Sequence, residues 1–374
     1  MKKNISKLMI IVFIAICLLS GCEEVSFLKS FMNAIDDNAV ISETTASTAP
    51  GPTAQDETTS SSAGAAGSAG AAGSAASADT VNTGDAAPAA PIVYFISDIS
   101  PEGLMAVYTA LGASPTGNVA VKISTGEPPN SNYLRPELIK DLVQNVGGTL
   151  VECNTAYGGK RASNAMHLQV AKDHGYTDIA EFDLQDADGE ISLPVTGGEV
   201  LKENFVGANF ANYDYYIILS HFKGHAMAGY GGAIKNISIG MASSSGKSWI
   251  HSGGKNKKGV SGDQNNFLKS MAEAGKSVSD SLDGNILYIN VMNRLSVDCD
   301  CNGNPAEPDM HDIGILASFD PVAVDQACLD LVYAADDSAS LVKRIESRNG
   351  LLTVEHGEAI GLGSRAYDLI NIDS

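Results

Sequence analysis

The stretch Tyr213–Gly240, YDYYIILSHFKGHAMAGYGGAIKNISIG, decides how the rest of the chain is read. Its first half, Tyr215 to Leu219, is an unbroken apolar and aromatic run. A strand exposed on one face alternates apolar and polar residues, whereas a strand buried on both faces does not. The second half changes abruptly to His221, Lys223, Gly224, His225, Gly229, Gly231, Gly232 and Lys235. A buried strand that gives way to a polar, glycine-rich segment has reached the edge of a sheet.

Working outward, the same alternation of apolar runs and helical patterns continues in both directions. Ile92–Ser97, Asn118–Ser124, Thr149–Asn154, Asn285–Asn293 and Ile313–Ser318 read as strands. Between them, PEGLMAVYTALGA and RPELIKDLVQNVGG each open at a proline and close at a glycine, the usual helix punctuation. RASNAMHLQVAKDHGY, NNFLKSMAEAGKSVSDSL and DPVAVDQACLDLVYAA complete the helical set, with Asp320 as the N-cap of the last and Asp325 unassigned. The pattern predicts an α/β fold from residue 91 to 374. It has a largely parallel sheet covered by helices on both faces, built as one large domain or two intimate lobes. Such sheets bind ligands at the carboxyl ends of their strands, where Ser220 and the residues after it fall.

Upstream of residue 91 the chain has another character. Lys2, Lys3 and Lys7 precede the 12-residue apolar run Leu8–Leu19, shorter than the about 20 residues a membrane span needs. It reads as a signal peptide, residues 1–21. LSGC, residues 19–22, resembles the bacterial lipobox, which implies cleavage before Cys22 and acylation of its thiol and new amino group. Two acyl chains suffice for stable anchoring. After a short segment, 22–42, residues 43–90 are an Ala/Gly/Ser-rich tether with almost no large apolar side chain. As a flexible coil these residues would reach about 35–42 Å. The chain is therefore expected at the extracytoplasmic face of a cell membrane, held by lipid. The net charge of −20 argues against nucleic acid as a partner, since phosphates demand basic neutralisation.

Several residues are candidates for chemistry. His221 and His225, four apart, would share one face of a helix as a metal pair, but in a loop that spacing means less. Lys235 offers a charge or a nucleophilic amine. The glycines let backbone approach a ligand closely. The alternative is a glycine-rich loop whose histidines satisfy backbone groups. NTAYGGKR, Asn154–Arg161, is a second polar turn after a strand, and Arg135 at a helix start could hold an anion. Cys153, Cys299, Cys301 and Cys328 could form disulfides, bind metal or be buried. Around them DCDCNGNPAEPDMHD mixes hard and soft ligands that suit several metals. Two nucleotide motifs fail on spacing: GMASSSGKS has five residues between its glycines where a phosphate loop needs four. GLGSRA lies too near the chain end for the helix and strand a dinucleotide fingerprint requires.

The segments NTAYGG-R, SHFKGHAMAGYGGAIKNISIGM and DIGILAS-DPVAVDQA resemble the bacterial family known as domain of unknown function 362, over essentially the whole folded part. Many members carry a four-iron, four-sulfur segment between the last two motifs. This sequence departs there, with no C-x2-C-x2-C, so no such cluster is expected. HAMAGYGGAIK also resembles the histidine–glycine–lysine segment of nickel-dependent lactate racemases. That resemblance implies that Lys235 and the glycines 229, 231 and 232 hold a cofactor and Arg135 a substrate, and that His251 falls at the nickel-ligand position. It also implies that His225, Lys235 and Tyr157 occupy catalytic places; Tyr157 or Lys160 stands where that family has a second histidine. His221, His225 and His251 are the corresponding metal set, with a divalent metal as the candidate cofactor. Because the signal lacks twin arginines, the chain is expected to cross the membrane unfolded. Any metal, nucleotide-like ligand or small-molecule substrate would then load outside.

Overall fold

The computed structural model describes residues 89–373, which fall in one unit of dense contacts. The signal, Cys22 and nearly all of the tether lie outside the described residues.

In chain order the elements are β1 (Ile92–Ile96), α1 (Pro101–Leu111), β2 (Val119–Lys122), α2 (Pro136–Asn145), β3 (Thr149–Glu152) and α3 (Asn164–Asp173). Then come β4 (Phe182–Leu184), β5 (Glu190–Pro194), β6 (Glu203–Gly207), β7 (Tyr215–His221), β8 (Lys223–His225), β9 (Gly229–Gly231) and the short α4 (Ala233–Lys235). The chain closes with α5 (Ser244–His251), α6 (Gln264–Ser281), β10 (Ile286–Met292), β11 (Gly314–Ser318), α7 (Pro321–Ala334), α8 (Ala339–Ser347), α9 (Leu352–Ala359) and β12 (Asp368–Asn371).

Eight strands form the main sheet in the order β12-β1-β11-β10-β7-β2-β3-β4. All neighbouring pairs are parallel except those that β11 makes with β1 and β10, so one strand runs against the other seven. β7 is buried along its whole length, as its apolar run requires. Its side chains alternate between two cores: Tyr216 and Ile218 pack under α4, α6 and α7, and Ile217 and Leu219 under α1 and α2. Each large aliphatic side chain fully removed from water there contributes about 1.5–3 kcal/mol. This is the expected α/β sheet with helices on both faces.

Sheet order also fixes where a ligand belongs. From β2 the chain winds through β3 and β4 to one side, then returns to place β7 and β10 on the other. The crevice at the carboxyl ends of β2 and β7 is therefore the topological switch point, where diverging connections leave room. The β10–β11 connection, residues 293–313, is a long excursion over the same edge, because β11 is reversed.

Candidate functional site

Four connections meet at that edge and enclose a cavity of about 230 Å³. β2 ends in Lys122, β3 in Glu152, and β7 in Ser220 and His221; the 293–313 excursion brings Cys299, Asp300 and Cys301. Asn236, one residue beyond Lys235, ties the switch point together. Its amide nitrogen donates to Leu219 O (3.3 Å) and Ser220 Oγ (3.1 Å), and its Oδ1 accepts from Lys122 Nζ (3.0 Å).

After β7 the segment folds into the β8–β9 hairpin and then into α4. His225 stops the hairpin: its Nδ1 accepts from the amides of Ala228 (2.9 Å) and Met227 (3.2 Å). Gly229 closes the turn at φ +84°, a conformation glycine adopts without strain. At Gly224 a side chain would collide with the backbone of Val297, so this glycine admits the 293–313 excursion. At Gly232 a Cβ would strike the Asp325 carboxylate, which accepts from the amides of Ala233 (2.7 Å) and Ile234 (3.0 Å) and from Asn290 Nδ2 (2.7 Å). Asp325 on α7 is thus the cap of the short helix that carries Lys235, while Asp320 caps its own helix, accepting from Val322 N (2.8 Å) and Ala323 N (2.9 Å).

Charge in the cavity is unevenly satisfied. Asp300 pairs with Lys223 (2.8 Å) and His221 Nδ1 (3.0 Å), and these cations hold its carboxyl far below the usual range despite burial. Arg161 pairs with Glu127 (3.1 Å) and Glu152 (2.9 Å) and donates to Tyr157 OH (3.1 Å). Lys247 donates to Ala242 O (2.6 Å). Lys235 differs: among the described residues its Nζ makes no hydrogen bond. Burial and the neighbouring Lys223 and Lys122 push its amine down to about 7, against the pull of Asp300. At neutral pH such an amine is divided between a cation that can hold an anion and a base that can take a proton or attack a carbonyl. Burial, with an opposing hydrogen bond to Lys247 O (2.7 Å), lowers His251 to about 4; that bond occupies Nδ1 and leaves Nε2 as an acceptor. Five cationic side chains and two carboxylates line the cavity, in a chain whose net charge is −20.

The structure brings His221, His225, Lys235, His251, Tyr157, Gly231 and Gly232 to this one cavity. Arg135 does not reach it. Its guanidinium stacks 4.6 Å over the Tyr133 ring and donates to Ser131 O (2.7 Å), on the exterior. Gly229 packs against Ile345 and Gly350 and does not line the cavity. The three-histidine metal set is not assembled. His221 spends both ring nitrogens, on Asp300 and on Asn293 O (2.6 Å), and His225 Nδ1 is taken by two amides. Among the described residues, the donor atoms that gather within 4.8 Å of one another belong to His225, Cys299 and Cys301. There Cys299 and Cys301 are joined as a disulfide, and an Nδ1 that accepts leaves the ring proton on Nε2. As a disulfide the pair is a poor ligand; reduced, Cys299 and Cys301 together with His225 form a candidate metal-binding group. Nor is the start of α5, in GMASSSGKS, free for phosphate: Ser243 Oγ accepts from Gly246 N (2.9 Å), and Asp186 accepts from Ser244 N (3.2 Å).

A family model described as domain of unknown function (DUF362) matches residues 119–330, which include every residue lining the cavity. The chain belongs to the DUF362 family. No curated protein matches it. Among solved structures it is similar to the lactate racemase apoprotein from Thermoanaerobacterium thermosaccharolyticum, at 13% identity and a TM-score of 0.40, over 64% of this chain and 56% of that one. It is also similar to a protein from Thermotoga maritima at 11% identity and a TM-score of 0.35, over 69% of this chain and 58% of that one. The DUF362 chain thus spans little more than half the length of each.

Sequence reasoning missed Lys122, Glu152, Lys223 and Lys247. A signal for the first two was present: VAVK and TLVE each end a buried strand in a single charge, at the sheet edge where ligands bind.

Proposed function

We propose that this DUF362 member is a lipid-anchored extracytoplasmic protein whose cavity binds a small anionic molecule, with Lys235 as the principal contact. One observation carries the binding reading: a surplus of cations surrounds a metabolite-sized cavity in a strongly acidic protein, and among the described residues the Lys235 amine has no hydrogen-bond partner. Buried charges in folded proteins are ordinarily paired, so an unpaired amine at a switch point is a vacancy for an anion. Gly231 leaves the approach to Lys235 free of a side chain, since a Cβ there would lie 3.0 Å from the lysine Cδ.

The test is thermal unfolding of the full chain against a panel of small mono- and dicarboxylates. A true ligand at a hundredfold its Kd adds about 2.7 kcal/mol of stability. Its affinity should be level between about pH 5.5 and 6.5, where a carboxylate is fully ionised, and weaken about tenfold per pH unit above about 7, as the Lys235 ammonium is lost. A carboxylate keeps its own charge over that range, so the slope belongs to the protein. If no anion stabilises the protein, or the affinity is level between pH 6 and 9, the reading fails.

Support for anchoring comes from the lipobox-like LSGC and the tether composition. When the full chain is expressed with its signal, it should partition into detergent, and Cys22→Ser should move it to the aqueous phase. Equal partition of both forms refutes the anchor.

A further inference from the structure

We infer that the Cys299–Cys301 disulfide is a thiol–disulfide exchange centre that oxidises an external dithiol at the cavity, with Cys301 as the sulfur attacked. This is a further activity and does not depend on anion binding.

The first argument is that the bond does little as a staple. It encloses a single residue, Asp300, whereas cross-links stabilise chiefly by restricting the unfolded chain, and more so for longer loops. Asp300 is already fixed by its ion pairs with Lys223 and His221. The second argument is placement. Both sulfur-bearing residues line the cavity; Cys299 is buried, whereas Cys301 is partly exposed. Cys153 and Cys328 are free and buried, and burial pushes the Cys153 thiol up to about 12, so neither competes as a thiolate.

The third argument is that each sulfur has a donor waiting for its negative charge. The amide of Cys301 donates to Cys299 Sγ (3.2 Å), and His225 Nε2 lies 3.8 Å from Cys301 Sγ. The two amides on His225 Nδ1 keep its ring proton on Nε2, facing the sulfur.

The exchange balances as follows. One thiolate of the dithiol attacks Cys301 Sγ. A bond forms between them, the Cys299–Cys301 bond breaks, and its electron pair departs on Cys299 Sγ, held by the Cys301 amide. The second thiolate of the dithiol then attacks its own sulfur partner in the mixed disulfide. Cys301 Sγ leaves as a thiolate, accepting the hydrogen bond from His225. The dithiol becomes a disulfide; its two electrons reduce the Cys299–Cys301 bond, and its two protons pass through solvent to the two cysteine sulfurs.

The folded full chain would be treated with millimolar dithiothreitol near neutral pH and alkylated before digestion and mass spectrometry, with circular dichroism recorded alongside. Expected is full alkylation of Cys299 and Cys301, none at Cys153 or Cys328, unchanged secondary structure, and re-formation of the disulfide with oxidised glutathione. Treated with oxidised glutathione, Cys299→Ser should trap a glutathione mixed disulfide at Cys301, one glutathione thiolate leaving. Cys301→Ser should leave Cys299 about tenfold or more slower towards a disulfide reagent, because it is buried. His225→Gln should accumulate mixed disulfide in the wild-type cysteine background. Reduction only in denaturant would overturn the proposal. So would a reduced pair that resists alkylation because it carries stoichiometric metal by elemental analysis. The wild-type experiment decides the matter even where a variant does not fold.

Discussion

Asp325→Ala is expected to cost about 3–5 kcal/mol of folding stability and to abolish ligand-dependent stabilisation in whatever protein remains folded. The reason is local. The carboxylate is fully buried and accepts three hydrogen bonds, from the amides of Ala233 and Ile234 and from Asn290 Nδ2. Alanine leaves the two amides dry and unpaired, each at about 1–3 kcal/mol and partly recovered by relaxation, and leaves Asn290 Nδ2 only the weak acceptor Cys328 Sγ (3.4 Å). Two of those donors are the first amides of the short helix whose third residue is Lys235, so the loss unwinds the element that aims the amine. Asn290 lies on β10 opposite Ser220 of β7, so Asp325 also couples the helix layer to the switch point. Asp325→Asn keeps the shape and one acceptor oxygen, and should cost visibly less than alanine. Denaturant titration of the three proteins measures this. An alanine variant within 1 kcal/mol of wild type would remove the capping argument.

The sheet and its loaded edge were legible because burial on both faces leaves a signature that no loop imitates. Tyr215–Leu219 is uninterrupted, Ile286–Met292 is broken only by Asn290 and Gly314–Ser318 only by its terminal serine, and all three are buried. Direction is not part of that signature. β11 is as apolar as β1 and β10, with which it pairs antiparallel, and its reversal is a tertiary fact that composition does not carry. β5 and β6 form a separate antiparallel hairpin, and β5, EISLP, buries one residue fully, too little to register as a strand. β12 pairs at the edge with every residue exposed, so nothing in DLIN announces it.

At the site, residue types were readable but partnerships were not. The spacing of His221 and His225 suggested one helical face. In the fold the two lie on successive strands, and each ring is consumed by a different neighbour. Arg135 carried the right charge at the right end of a helix, yet Tyr133, two residues earlier, captures it. The pairing of Cys299 with Cys301 was one of several options that spacing alone could not rank.

Lys235→Met is expected to do two opposite things: abolish anion binding and raise the stability of the ligand-free protein. Methionine keeps the length of the side chain and removes a charge that the fold does not pair. The sign follows from proton linkage. The lysine titrates near 10.5 when exposed and near 7 in the fold, so between those values the unfolded chain holds a proton that the folded chain lacks. Stability of the wild type therefore rises with pH across that window, and the full penalty is present at pH 7 and below. A shift of that size would correspond to several kcal/mol, but the amine borders the water of the cavity, which reduces the cost to about 1–3 kcal/mol. The methionine variant should then melt above the wild type at neutral pH, and the two should converge as pH approaches 10.5. Saturating ligand should reverse their order at neutral pH, because only the wild type gains from it. A variant less stable than wild type at pH 7 without ligand would mean that Lys235 already has a partner, and the anion pocket would lose its central contact. If stability rises as expected while ligand affinity is unchanged, the amine is unpaired but the anion binds elsewhere. The stability arm tests the electrostatics of the fold, and the binding arm tests what the cavity is for.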